Sequence, residues 1–458
     1  MAKYKQIARQ FIDDIEAGKL SAGVKMPSLR RLANQQSISM TTAVSCYQEL
    51  EALGWLVARP QAGFFVSARS QNLRQPDWQR FTSKVAKPKV QAHRSQVPDG
   101  PLGRAQLAID DSTLQLVNKS LRAAIRQTSA LFGDYPARQG EPVLRQVLAG
   151  HFTQNGLLLK AEELVITHGC MDAVRRALEV CTQPGDSVAI SSPCYDGLLD
   201  LLSVLGLQIV ELPSLKEGID LAQLEAHLQQ GTVQAGLFCT SHMNPQGITM
   251  SVEQKQRLAR LAADYKTPMI EDDIYLELSH QTQMPLPASY YDQSGYMLWC
   301  GSVSKTLSAS LRVGWCRPGR YRQAFIERSF GVSTILQFAL ADFIDKGDYA
   351  KHMKRVRYQL QQQKQHYLAY LTQHLPPSSR ITAPDGGLVL WLQIPGLDPQ
   401  KLIKLAQGAQ LDIRVGQLFT ASQRYQDCLR LNMGWPLDQN LKQQLDRLMA
   451  IMGHSVHC

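Results

Sequence analysis

One loop of this chain gathers side chains of complementary chemistry. It reads Gly301-Ser302-Val303-Ser304-Lys305-Thr306-Leu307-Ser308-Ala309-Ser310-Leu311-Arg312-Val313-Gly314, directly after the apolar run Leu298-Trp299-Cys300. The loop combines Lys305, the Ser302 and Ser304 hydroxyls and Arg312. Alone it could be no more than a basic surface turn. Glu271-Asp272-Asp273-Ile274-Tyr275 follows Met269-Ile270. An aspartate buried at a strand end is costly unless a cation faces it, and either Asp272 or Asp273 could take that place. Gly169-Cys170-Met171 lies between an apolar run and a helical pattern, where free backbone N–H groups at a helix start form a natural phosphate seat. Arg430, in Leu429-Arg430-Leu431-Asn432, carries the planar fork that suits a carboxylate, or is a surface arginine on a strand.

The elements that must position these residues are legible as a pattern. From Leu164 onward, short apolar runs alternate with amphipathic stretches. Val165-Ile166-Thr167, Val188-Ala189-Ile190, Ile209–Leu212, Gly236–Cys239, Met269-Ile270 and Leu298–Cys300 are the strand candidates. Helices are expected near Asp172, after Tyr195 and over 253–265. Such alternation means an α/β domain with a mostly parallel sheet. In such sheets ligands bind beyond the C-terminal ends of the strands, where the residues above fall.

The loop resembles the pyridoxal phosphate (PLP) motif of fold-type I enzymes, S-x-S-K-x-x-x-x-x-x-R-x-G. That resemblance implies that Lys305 forms a Schiff base with the PLP aldehyde. It implies that Ser302, Ser304 and Arg312 hold the phosphate, with Gly169, Cys170 and Met171 beneath it. Many relatives carry a hydroxyl and an amide at Cys170 and Met171; here the side-chain contacts are lost and the backbone ones kept. The family's D-x-x-Y spacing points to Asp272 as partner of the pyridine nitrogen and to Tyr275 as a donor to the phenolic oxygen. Ser241–Gly247 resembles its N-P-x-G motif, with Asn244 on the same oxygen. Tyr195 in Pro193-Cys194-Tyr195 matches the aromatic that stacks on the ring, or is a core aromatic. Tyr135 matches a tyrosine that reaches the neighbouring subunit's phosphate, and Arg430 the arginine that clamps a substrate α-carboxylate. Pro384–Leu388, before Val389–Leu392, resembles a turn of the smaller C-terminal subdomain. The likeness covers about residues 105–450.

The first seventy residues follow another grammar. Ile7, Phe11, Ile12 and Ile15 recur at helical spacing before Gly18. Ser28 can cap a helix with Leu29 and Leu32 inward. Ser39 is the expected N-cap of a third helix whose buried face is Ala43, Tyr47, Leu50 and Leu53. Trp55–Val66 reads as two strands around Pro60-Gln61-Ala62-Gly63. Helix, helix, turn, helix, hairpin is the order of a winged helix-turn-helix. Ser39, Thr41, Thr42 and Ser45 are small polar residues able to approach phosphates and base edges in the major groove. Arg30 and Arg31 on the preceding helix, with Arg59, Gln61 and Gly63 in the wing, take phosphate or minor-groove positions. Over residues 4–66 the P-S-x-R-x-L-A, T-T-x-x-x-x-Y-x-x-L-E-x-x-G and G-x-F-V elements resemble the GntR family of bacterial regulators.

Charge separates the two halves. The chain has 458 residues and a formal net charge of +10. Residues 1–104 hold 16 Lys and Arg against 7 Asp and Glu, leaving 33 basic and 32 acidic residues for the rest. A basic module attached to a neutral body suggests a polyanionic partner such as double-stranded DNA. Nine cysteines without a C-x-x-C pair argue against zinc or a disulfide framework. No apolar run approaches the ~18 residues of a membrane span. A cytoplasmic location is therefore expected. Residues 1–69 are assigned to the winged helix, 70–104 to a basic flexible linker including Lys84, Lys87, Lys89 and Arg94, and 105–458 to the PLP domain, with its small subdomain at about 325–458.

The pairing of the two halves resembles the MocR subfamily of GntR regulators. That implies a head-to-tail homodimer in which PLP, and often an amino acid or amine effector, controls DNA binding. Two other readings stay open. One is a working aminotransferase with a DNA-binding appendage. The other is a repressor whose large domain is only a dimerisation scaffold, against which the full lysine, aspartate, tyrosine, asparagine and arginine set argues.

Overall fold

A computed structural model describes residues 3–21, 23–52, 54–59, 62–66, 74–88, 99–281 and 283–456. Leu53, Pro60, Gln61, Lys89 and Arg94 of the readings above lie outside these residues, as does the side chain of Arg59.

The N-terminal unit has α1 (Lys3–Glu16), α2 (Leu29–Gln35), α3 (Met40–Ala52), β1 (Leu56–Arg59) and β2 (Gly63–Val66). The hairpin is antiparallel, with Leu56 opposite Val66 and Arg59 opposite Gly63. Its turn is built on Gly63 at φ +97°, a left-handed conformation that glycine adopts without steric cost. The expected apolar faces meet in one core: Ile7, Ile12, Ile15, Leu32, Ala43, Tyr47 and Leu50 are all buried. Tyr47 is fully buried between Phe11 and Phe64, with ring centroids 6.2 and 5.1 Å away, and its hydroxyl donates to the Pro27 carbonyl at 2.8 Å. The Ser28 side chain caps α2 by accepting from the Arg31 amide.

The larger unit is built on a nine-stranded sheet. Its strands are β3 (Val85–Ala86), β4 (Val165–Thr167), β5 (Ser187–Ser192), β6 (Gln208–Leu215), β7 (Gly218–Ile219), β8 (Ala235–Phe238), β9 (Met269–Asp272), β10 (Met297–Ser302) and β11 (Gly314–Arg317). The order is β3-β6-β5-β8-β9-β10-β11-β4, with β7 pairing β6 outside this path. The pairs β6–β5, β5–β8, β8–β9 and β9–β10 are parallel. Every residue of β5, β8, β9 and β10 is buried, as expected of parallel strands covered on both faces. A second, antiparallel sheet has the order β12 (Arg380–Ile381), β13 (Val389–Gln393), β15 (Cys428–Asn432), β14 (Arg414–Val415).

β11 runs antiparallel to both β10 and β4, so β4 points the same way as the parallel strands. The C-terminal ends of β4, β5, β8, β9 and β10 therefore share one sheet edge. His168–Met171, Pro193–Tyr195, Ser241–Asn244, Asp273–Tyr275 and Val303–Lys305 all leave the sheet there.

The flexible-linker reading needs correction where residues are described. Val85 and Ala86 pair with Val210 and Ile209 at the sheet edge. The buried Ser83 hydroxyl bonds Gln223 Oε1 and His227 Nε2, each at 2.8 Å. Residues 99–104 are also built into this unit, with Leu102 wholly buried. Isolated polar residues such as Ser83 have no period, which hid their anchoring.

Candidate cofactor site and DNA-binding face

A cavity opens at the shared sheet edge. Its free volume, including the mouth, is about 840 Å³, within the range of small-molecule and cofactor sites. Tyr195, Asn244, Asp272, Tyr275, Ser304, Lys305 and Arg312 line it together with Cys170 and Met171. Nine residues from five separate segments of sequence thus converge.

Asp272 and Asp273 part company at the end of β9, because successive residues of a strand face opposite sides. Asp272 faces the cavity and receives the Cys170 thiol at 3.0 Å. Asp273 turns away and receives the Trp299 indole N–H at 3.3 Å. Burial pushes the Asp272 carboxyl above its usual range, against the Cys170 hydrogen bond, the Ile274 amide and the nearby Lys305 charge. Burial also pushes the Cys170 thiol up, leaving it protonated and a donor.

Lys305 follows β10 and is half-buried. Burial, reinforced by the Arg430 charge and opposed by Asp272, lowers its pKa to about 8. Its Nζ donates to the Ala105 carbonyl at 2.5 Å. Asn244 Nδ2 donates to the Tyr275 hydroxyl at 3.2 Å, and Asn244 Oδ1 accepts from Arg430 Nη1 at 2.9 Å. Arg430, on β15, is only 4% exposed. Its Nη2 donates to the Gly103 carbonyl, its Nε has no hydrogen-bond partner among the described residues, and Phe419 lies under the guanidinium at 5.0 Å.

The lining also collects donors. Helix α6 (Cys170–Cys181) begins at Gly169, whose φ is +88°. A Cβ on Gly169 would lie 3.0 Å from Arg312 Nη2, so a side chain there would be strained and would crowd the guanidinium. Arg312 Nη2 donates to the His168 carbonyl at 3.0 Å. The Ser304 hydroxyl is buried without a partner among the described residues. Ser302 differs from expectation: its hydroxyl accepts from the Ser304 amide at 3.0 Å and it is absent from the lining, so it shapes the loop from behind.

Tyr135 does not reach this cavity and is 99% exposed. Sequence reasoning missed Ser191, Cys194 and Cys239 in the lining. Ser191 and Cys239 lie at the ends of β5 and β8, so the strand-end rule could have found them. It also missed the carbonyls of Gly103 and Ala105, for which no side-chain signal exists.

On the N-terminal unit, Arg30, Arg31, Ser39, Thr41 and Gly63 are exposed, and Thr42 and Ser45 half-buried. The Ser39 hydroxyl accepts from the Thr42 amide at 3.1 Å and pairs with the Thr42 hydroxyl at 2.8 Å, fixing the start of α3. The Met40 side chain beside them is 45% exposed.

Comparison with known proteins agrees with both halves. Residues 3–66 match the model for bacterial regulatory proteins of the gntR family, and residues 102–448 the model for aminotransferase class I and II. The chain is 30% identical to the HTH-type transcriptional regulator YdcR and 29% identical to YjiR, both of Escherichia coli, over 98% of each chain. Among solved structures, the α-aminoadipate aminotransferase LysN of Thermus thermophilus, complexed with N-(5'-phosphopyridoxyl)-L-leucine, matches with a TM-score of 0.70 at 22% identity. That match covers 77% of this chain and 91% of LysN. The multiple substrate aminotransferase of Thermococcus profundus matches with a TM-score of 0.71 at 20% identity, over 80% and 96%. With a gntR-type winged helix and an aminotransferase class I and II domain in one chain, and relatives alike along nearly their whole length, the protein belongs to the MocR subfamily of GntR-family DNA-binding transcriptional regulators.

Proposed function

We propose that the protein is a transcriptional regulator that holds PLP at Lys305 and changes its DNA binding when an amino acid or amine enters the same cavity. The observation that carries this reading is the convergence of Lys305, Asp272, Tyr275, Asn244, Ser304 and Arg312 on one cavity. The donor set suits the group. Ser304 has an unpartnered hydroxyl and stands with Arg312 and the α6 N-terminus, so three kinds of phosphate donor share one lining. Asp272, buried in the same lining, is the acceptor that a protonated pyridine nitrogen needs. When bound, PLP supplies an aldehyde for amine capture and a ring able to accept electrons.

The chain's own residues divide the work. Lys305, with a pKa of about 8, presents a neutral amine to the aldehyde at mildly alkaline pH. Tyr275 and Asn244 present an O–H and an N–H to the phenolic oxygen. Tyr195 covers the ring, and Arg430 orients a ligand carboxylate. Tyr135, fully exposed, is free to reach the phosphate end of a second copy in a head-to-tail dimer. In the winged helix, the start of α3 with Ser39, Thr41, Thr42 and Ser45 enters the major groove, while Arg30, Arg31 and the wing residues Arg59, Gln61 and Gly63 hold the backbone. An effector shifts DNA affinity only by the difference in its affinity for the two conformations.

The test is an absorbance titration of the full-length protein with PLP and then with a panel of amino acids and amines. A visible band that requires Lys305 and moves with one ligand, alongside a change in operator affinity, is expected. No band at any PLP concentration, or a band unchanged in Lys305→Ala, refutes the assignment. Steady conversion of an amino acid and keto acid pair would make it an enzyme as well.

A further inference from the structure

Residues 99–108 hold two cations of the site, Arg430 and Lys305, by backbone oxygens. The Gly103 carbonyl accepts from Arg430 Nη2 and the Ala105 carbonyl from Lys305 Nζ. Gly103 closes a turn at 101–103 and Ala105 follows the bend at Arg104, so one short stretch addresses both groups.

The segment is seated firmly. The Asn432 side chain donates to the carbonyls of Pro101 at 2.9 Å and Gln106 at 3.1 Å. The Asn432 amide donates to the Leu102 carbonyl at 2.7 Å, and the Ala108 amide to the Gly434 carbonyl at 3.0 Å. The Gly100 amide donates to Asp412 Oδ2 at 2.9 Å. Leu102, Ala105 and Leu107 bury their side chains. Asn432 lies two residues beyond Arg430 on β15, so one strand carries both the seat of the segment and the arginine it covers.

We propose that residues 99–108 are a strap that competes with the carboxylate of an incoming ligand for Arg430. The proposal rests on the reading of Arg430 as a carboxylate clamp and adds how that clamp is regulated. A guanidinium can meet a carboxylate end-on through Nη1 and Nη2 or side-on through Nε and Nη2. Both approaches use Nη2, the nitrogen that the strap holds. A carboxylate brings an opposite charge and can take two parallel N–H bonds from the guanidinium, where the Gly103 carbonyl offers one neutral oxygen. It therefore displaces the Gly103 oxygen, and the unpartnered Nε supplies a further donor once it arrives. Ligand entry and strap release are one event, and the cost of release sets the ligand affinity.

The test is hydrogen exchange on the full-length protein, with acetate replacing chloride at equal ionic strength. Acetate is the smallest carboxylate that offers the fork two oxygens, and it brings no amine. Binding is followed in parallel by calorimetry. Amides of residues 102–108, Ala108 among them, are expected to exchange several-fold faster in acetate. In Arg430→Gln they exchange faster from the start and acetate adds nothing. Leu102→Ala loosens the strap away from the cations, and acetate should then bind about tenfold tighter, within the usual span of coupling between linked events. Acetate that binds through Arg430 without faster exchange overturns the strap while leaving the clamp. Acetate that does not bind overturns both. Unchanged acetate affinity in a folded Leu102→Ala variant also overturns the strap.

Discussion

Asp272→Asn separates a cofactor partner from an ordinary buried aspartate, because the two roles predict effects of opposite sign. Asp272 is wholly enclosed, and its interactions with Cys170, the Ile274 amide and Lys305 do not offset burial, so its carboxyl stays above the usual range. Without PLP, the folded state then binds the proton more tightly than the unfolded chain does. The stability of the PLP-free protein falls as pH rises from the unfolded pKa through the folded one, and stays lowered above it. Asparagine is nearly isosteric and cannot ionise. The PLP-free variant should be at least as stable as the parent at pH 7, with the advantage vanishing below about pH 4, where the aspartate is protonated in both states. PLP affinity moves the other way. A hydrogen bond between charged groups is worth about 1.5–3 kcal/mol, and about 1.4 kcal/mol is tenfold. Affinity should drop roughly 10- to 150-fold. Urea unfolding of the PLP-free protein at several pH values measures the first effect, and a spectroscopic PLP titration the second. Unchanged PLP affinity removes Asp272 from the site. Loss of stability at every pH together with loss of affinity means general damage and refutes the argument.

Capture of PLP by Lys305 should accelerate about tenfold per pH unit and level off near pH 8, the pKa its burial sets; stopped-flow absorbance reads the rate, and a pH-independent rate rejects the neutral-amine account. In Asp272→Asn the plateau should move to lower pH, because the carboxylate that supports the Lys305 charge is gone. Burial opposes the Glu277 charge, but His151 at 2.7 Å, the Tyr349 hydroxyl at 2.7 Å and Arg357 prevail and hold its carboxyl below the usual range. Glu277→Gln should cost about 3 kcal/mol at pH 7, a deficit that shrinks as pH falls through the folded Glu277 pKa; an equal deficit at pH 3 in urea unfolding contradicts this. Ser39→Ala removes the cap on the Thr42 amide and should cost about 1 kcal/mol of helix stability, seen as faster hydrogen exchange in α3. Arg30→Ala should weaken DNA binding and reduce the salt slope by about one; an unchanged slope takes Arg30 off the phosphates.

Periodicity and a few motifs carried most of the large-scale organisation. Apolar repeats at helical spacing specified α1 to α3, since only one face of each could be buried. Continuous apolar runs specified the parallel strands, which are covered on both sides. The candidate site was legible where one residue type alone suits the proposed chemistry: Lys305, Arg312 and Asp272, which line one cavity, and Gly169, where a side chain would be strained and would crowd Arg312. The Asp272-to-Tyr275 spacing also favoured the aspartate that faces the cavity.

Tertiary structure decided what depends on distance through space. Ser302 and Ser304 are equivalent in the motif, but the Ser304 amide takes the Ser302 hydroxyl and leaves Ser304 facing the cavity. Residues 74–88 and 99–104 read as tether because their anchors, a two-residue strand, isolated buried side chains and polar contacts such as Ser83 to Gln223 and His227, have no period and meet residues far along the chain. Gly103 and Arg430 are separated by 327 positions and meet through a backbone carbonyl, which every residue possesses. A sequence specifies side chains, and so it revealed the cations of this site; the oxygens that cover them belong to the backbone, and only folding determines which ones arrive.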